Sequence, residues 1–190
     1  VESTPLAARL GDVAWRELLE QHDALMERTA ARFHGRLVQF TGDGYLTELP
    51  TPTLAARAAA AMVHGAERLG FQLRAGLHTG ECTRRGDDLS GISIHLAARI
   101  GAAAGPGAVV MSDTFRALIS RAGLRTTSLG TQQLKGIAHP VELFSLDLDD
   151  ACPPRRPPAA GGGGSAHLAA GHEADDEAQH VLAAGADPRV

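Results

Sequence analysis

Two short runs of strand-forming residues, Leu37-Val38-Gln39-Phe40 and Tyr45-Leu46-Thr47-Glu48-Leu49, are separated only by Thr41-Gly42-Asp43-Gly44. A link that short, rich in glycine and containing Asp-Gly, closes an antiparallel pair. The chain therefore contains a β-hairpin with a carboxylate at its tip. Gly42 and Gly44 leave the backbone on either side of Asp43 open to the close approach of a bulky anion.

The flanking segments supply helices and further strands. Apolar residues recur at helical spacing over 5–33, with Gly11-Asp12 capping between a short helix and a long amphipathic one, and Gly35 ends the second. Pro50 and Pro52 separate the hairpin from an Ala-rich helix over 54–69 that closes at Gly70. Residues 71–77 alternate as a strand, and 81–88 are polar and turn-like. The spacing over 92–104 predicts a helix, 108–111 a short buried strand, and 113–119 a short helix with Ser112 as its N-cap. Two late strands, 124–129 and 141–146, flank a Lys135-Gly136 turn. This order predicts an α+β domain, a mainly antiparallel sheet with helices on one face.

The composition changes after about Asp149, to Pro-Pro-Arg-Arg-Pro-Pro, then four glycines and a serine, then a stretch of Ala, His and acids. Such a segment buries too little apolar surface to offset its ordering entropy. Residues 149–190 are therefore expected to be a disordered tail, and 1–148 the folded domain.

Several function classes are disfavoured at this point. A net charge of −4 with scattered Lys and Arg does not make a nucleic-acid-binding face. Cys82 and Cys152 are far apart and suggest neither a disulfide framework nor a zinc site, which fits a reducing, cytoplasmic setting. No apolar run approaches the roughly 20 residues that span a bilayer, so no membrane contact is expected.

Three further stretches accompany the acidic hairpin: Arg74-Ala-Gly-Leu-His-Thr-Gly-Glu81, Gly91-Ile-Ser-Ile-His-Leu-Ala-Ala-Arg99 and Leu134-Lys-Gly136. In this order and spacing the four motifs resemble the class III adenylyl/guanylyl cyclase catalytic domain, in its bacterial form. The resemblance covers Val1 to about Leu146. It implies a ferredoxin-like (βαββαβ) cyclase domain and an activity that converts ATP to cyclic AMP and pyrophosphate. In that family the ribose 3′-hydroxyl attacks the α-phosphorus while two Mg²⁺ or Mn²⁺ ions, held by two acidic residues, neutralise the triphosphate.

Carried over residue by residue, the resemblance makes Asp43 the second metal-binding carboxylate. The first belongs to an Asp-Ile-x-Gly-Ser-Thr motif whose last four residues Val1-Glu2-Ser3-Thr4 resemble. That alignment puts the first metal Asp two positions before Val1, so residues 1–148 are expected to lack the opening strand and to be inactive alone. Arg99 matches the arginine that stabilises the transition state, and His95, one turn before it, matches the ribose-contacting position. Asp88 matches the purine-selecting position, where a carboxylate accepts from the adenine 6-amino group and so favours ATP; Asp87 is one residue away. Gln39 stands where adenylyl cyclases have Lys and guanylyl cyclases Glu, and an amide reads either base less sharply. Lys135 resembles a lysine near the triphosphate. His78, Thr79, Gly80 and Glu81 form the family's strand-end signature and carry no catalytic role.

The family pairs two domains head to tail. The resemblance thus implies a homodimer in which Asp43 and Gln39 of one chain meet Asp88, His95 and Arg99 of the other. The alternative from another class is a non-catalytic regulatory or dimerisation module of cyclase type. A diguanylate cyclase is disfavoured, because Thr41-Gly-Asp-Gly-Tyr45 does not match that family's Gly-Gly-Asp/Glu-Glu-Phe tip.

Overall fold

A computed structural model describes residues 10–40, 44–85, 88–151 and 180–186. The long amphipathic helix is α1, Asp12–Arg32, and it turns Met26, Thr29 and Ala30 inward. It ends at Phe33, one turn of chain before the hairpin. His34, not Gly35, takes the left-handed conformation there, at φ 60°, and the Gly35 N–H closes on the Ala30 carbonyl at 2.9 Å. Gly35 is constrained for another reason: a Cβ at that position would lie 2.5 Å from the Glu48 carbonyl oxygen of the hairpin.

Strands β1 (Arg36–Phe40) and β2 (Gly44–Leu49) form the expected antiparallel hairpin, with a register shift between Leu37 and Gln39. Helix α2, Pro52–Arg68, starts with Thr51 accepting from the Leu54 N–H at 3.3 Å and Pro52 in the first turn, where its missing N–H costs nothing. Its alanines 55, 56, 58, 59, 60 and 66 are buried, so the helix packs closely on its neighbours. Strand β3, Ala75–Gly80, begins later than the alternation suggests. Phe71 and Leu73 are buried but precede the ladder; Phe71 packs edge-on to Trp15 and His22 instead.

The segment expected to be a polar turn forms a two-stranded arm, β4 (Thr83–Arg85) with β5 (Asp88–Ser90). Then follow α3 (Ile92–Ala103), β6 (Val109–Ser112), α4 (Asp113–Ile119), β7 (Thr126–Gln132), β8 (Val141–Leu146) and the short α5 (Leu148–Ala151). Ser112 caps α4 as the sequence indicated, accepting from the Phe115 N–H at 3.2 Å.

The structure differs from the sequence reading at the tail. Residues 180–186, inside the stretch 149–190 read as disordered, form strand β9, His180–Ala186. The main sheet has the order β1-β2-β9-β3-β6-β8-β7, so β9 sits between strands that precede it by most of the chain. It is antiparallel to both neighbours, with Gly44 to Leu49 on one side and Ala75 to Gly80 on the other. Apart from Val181 and Leu182 its apolar residues are alanine and glycine, which favour strands little; two adjacent ladders supply what the segment lacks. Residues 152–179 and 187–190 lie outside the described residues, as do 1–9, where Val1-Glu2-Ser3-Thr4 falls.

The α+β reading holds, with β3–β6 the one parallel pair of the main sheet among the described residues. The helices, however, divide between the two faces. Ala75 and Leu77 of β3 join Met26, Met62, Val63 and Phe115 in the core beneath α1, α2 and α4. Gly76 points the opposite way, as strand alternation requires, and meets α3. A Cβ on Gly76 would lie 2.2 Å from the Gly101 nitrogen and 2.3 Å from the Ala97 carbonyl oxygen. Helix α3 thus lies on the face left bare by the others. Because that clash is with backbone, Gly76→Ala is expected to destabilise the domain by about 3 kcal/mol, the upper end of overpacking costs. Urea denaturation measures it, and an unchanged midpoint would show that α3 does not rest on β3.

Candidate functional site

The hairpin tip, 41–43, lies outside the described residues, and Asp43 and Gly42 with it. Its two stems are described. Gly44, the first residue of β2, is buried and pairs with Ala186 of β9. Gln39 pairs with Leu46 just beyond the register shift, and its side chain lies outside the described atoms. Such a shift adds twist and re-aims the side chains that follow it.

Tyr45, two residues after Asp43, is anchored to α1. Its hydroxyl donates to Asp23 Oδ1 at 2.7 Å and lies 3.0 Å from His22 Nδ1. A phenol has one proton, which Asp23 accepts, so His22 donates from Nδ1. The His22 side chain is fully buried against the Tyr45 and Phe71 rings. This relay fixes one stem of the acidic loop to the helix before it. Nothing in the sequence pattern announced it, because its members are far apart in the chain.

Helix α3 carries His95 and Arg99. Ser93, Ala97, Ile100 and Gly101 face the sheet, while His95 and Arg99 are exposed one turn apart on the other side. Ala97 packs with Leu46 of β2 and Leu89 of β5, joined by Val38, Cys82 and Ile94. One apolar node therefore gathers the three elements that bear the candidate residues: the hairpin with Asp43, the arm with Asp88, and α3. Asp88 heads β5; its side chain lies outside the described atoms, and Asp87 lies outside the described residues.

Lys135 is an exposed turn residue before Gly136, whose φ of 80° suits glycine alone. Leu134 before it is buried with Ile100, Val110 and Leu143. The turn is thereby docked beside the end of α3 that bears Arg99.

His78 has a structural role, as the sequence suggested. Its Nδ1 lies 2.8 Å from Ser112 Oγ. Burial lowers its pKa below the usual 6.5, against a weaker opposing pull from Asp113. Two further groups escaped sequence reasoning. Glu48 of β2 accepts from Arg36 Nε at 2.8 Å and from Arg84 of the arm. The Cys82 thiol, half-buried nearby, is pushed up first by burial and then by the Glu48 charge.

Among the described residues no three of His, Cys, Asp and Glu gather as a metal site. Among the described residues no helix is long and apolar enough to cross a membrane.

Comparison with known proteins accords with this geometry. No family model matches the chain. An uncharacterised protein of Mycobacterium tuberculosis is 32% identical over 145 residues, 75% of this chain; the chain spans only 38% of that relative's length. A receptor-type adenylate cyclase of Trypanosoma congolense is 37% identical over 87 residues, 41% of this chain and 12% of its own. Among solved structures, the adenylate/guanylate cyclase/hydrolase of Silicibacter pomeroyi is 26% identical with a TM-score of 0.65, covering 77% of this chain and 89% of that one. By fold and by sequence, this chain belongs to the class III adenylate/guanylate cyclase domains.

Proposed function

We propose that this domain, within the full-length protein and paired with a second copy, converts a nucleoside triphosphate to the 3′,5′-cyclic nucleotide and pyrophosphate, with ATP preferred over GTP. The observation that carries the reading is the orientation of α3. Its Ala97 side packs on Leu46 of the hairpin, so exposed His95 and Arg99 point away from the hairpin of their own chain. A second copy brings its acidic loop to them, and twofold symmetry then makes two equivalent sites.

In such a site Asp43 would hold the divalent cations, which when bound neutralise the triphosphate and make the 3′-hydroxyl more acidic. The chain's own groups do the rest. Arg99 binds the α-phosphate as charge spreads over its oxygens, and its fixed fork suits that task better than a lysine would. His95 donates to the ribose and holds the 3′-oxygen in line with the α-phosphorus. Asp88 accepts from the adenine 6-amino group, and Gln39 offers its amide to the purine edge. Lys135 attracts the terminal phosphates. The 3′-oxygen bonds to the α-phosphorus, the bond to the β-phosphate bridging oxygen breaks, and the hydroxyl proton passes to solvent.

A second reading, a non-catalytic cyclase-type module, draws on Gln39 in place of Lys or Glu. One experiment separates them. The full-length protein is incubated with Mn²⁺ and either ATP or GTP, and cyclic product and nucleotide binding are both measured. Cyclic AMP exceeding cyclic GMP supports the enzyme reading; binding without either product supports the module.

A further inference from the structure

The arm β4–β5 is a separate two-stranded ladder, outside the hydrogen bonding of the main sheet. Leu89 plugs it into the apolar node, a non-directional contact that does not by itself specify tilt. Glu48 supplies the missing constraint. It stands directly opposite Arg36 across the hairpin and is only 14% exposed. Each carboxylate oxygen serves a different element: Oε2 accepts from Arg36 of β1, and Oε1 accepts from Arg84 Nη2 of β4. A carboxylate largely withdrawn from water and shared by two guanidinium groups is a stiffer link than an exposed ion pair.

The geometry points to Glu48 and Arg84 as positioning residues: together they set the tilt of the arm against the hairpin and so place the strand that Asp88 heads. This rests on the cyclase reading of Asp88, but the mechanical half stands without it. In the shared-site dimer the arm and the hairpin of one chain serve different sites. Glu48 would therefore also join the base-reading part of one site to the metal-holding part of the other.

Two readouts test the proposal in the full-length protein. The first is maleimide labelling of Cys82, read by mass spectrometry on the peptide that carries it, which needs no nucleotide. Cys82 lies at the root of the arm, half-buried in the node, so releasing the tie exposes it. Arg84→Met is expected to label about fivefold faster, and Arg84→Lys, which keeps a charge for Glu48, close to the parent rate. The second is turnover: Arg84→Met raises KM for ATP about fivefold and narrows the preference for ATP over GTP, with a smaller effect on kcat. Labelling unchanged in Arg84→Met overturns the tie. Faster labelling with unaltered KM and base preference overturns its role in purine selection. Faster labelling in a protein that neither binds nor turns over nucleotide upholds the tie and overturns the cyclase reading of Asp88.

Discussion

An equimolar mixture of Asp43→Ala and Arg99→Ala chains of the full-length protein is expected to recover about a quarter of parental turnover, although neither variant is active alone. Removing Arg99 takes away charge stabilisation needed chiefly in the transition state, with a loss of about 10²–10³ in kcat. Removing Asp43 takes away a metal-binding carboxylate, and the loss is at least as large. If each site joins Asp43 of one chain to Arg99 of the other, half of the dimers in the mixture are mixed. Each mixed dimer has one site with both groups and one with neither, hence the quarter. Recovery that stays at zero at every mixing ratio, with exchange of chains shown separately, would mean that each site belongs to one chain. The orientation of α3, with Ala97 inward and His95 and Arg99 outward, makes that outcome unexpected.

The second large effect concerns β9. Ala184 pairs with Leu46 on one side and with Gly76 on the other, so a proline there loses a ladder hydrogen bond in the middle of the sheet and crowds its neighbour. Ala184→Pro is expected to destabilise the domain by about 3 kcal/mol or more. Amide exchange in β2 and β3 should quicken together, since each loses its partner at once. Parental protection of both strands in the variant would show that 180–186 does not hold the central place in solution.

How much of this was legible depended on where each element gets its stability. The hairpin, α2 with its Thr51 and Pro52 start, Ser112 at the head of α4, and β8 all carry their signals locally, in turn residues, caps and alternation. They stand in the structure close to where they were read, except that α2 starts two residues earlier, at Pro52 rather than Leu54, behind a Thr51 cap that was not foreseen. Strand β9 carries no such signal: a few small apolar residues after a Gly-rich stretch become a strand because β2 and β3 offer ladders on both sides. The arm was equally hidden, since polar residues read as turn, and what holds the arm is Leu89 and the Glu48–Arg84 contact. The second helical face was foreshadowed by Gly76 and Gly101, whose missing side chains let β3 and α3 approach, but spacing alone does not say which glycines meet.

The candidate site divided in the same way. Motif identity nominated Gln39, Asp43, Asp88, His95, Arg99 and Lys135 as candidates. The supports of those residues were invisible. His22, Asp23 and Tyr45 come together only when α1 folds over the hairpin. Leu46, Leu89 and Ala97 look like ordinary core residues until the fold shows that they join all three functional elements.

The position of β9 has a consequence for biosynthesis. Residues 180–186 leave the ribosome long after β2 and β3, and among the described residues no earlier segment pairs with the two strand rows that β9 joins. Pairing across so much chain is slow, and nascent chains with open strand rows are the species that aggregate or recruit chaperones. Heterologous yield should therefore respond more to chaperone supply and slow translation than the thermodynamic stability of the finished domain would suggest.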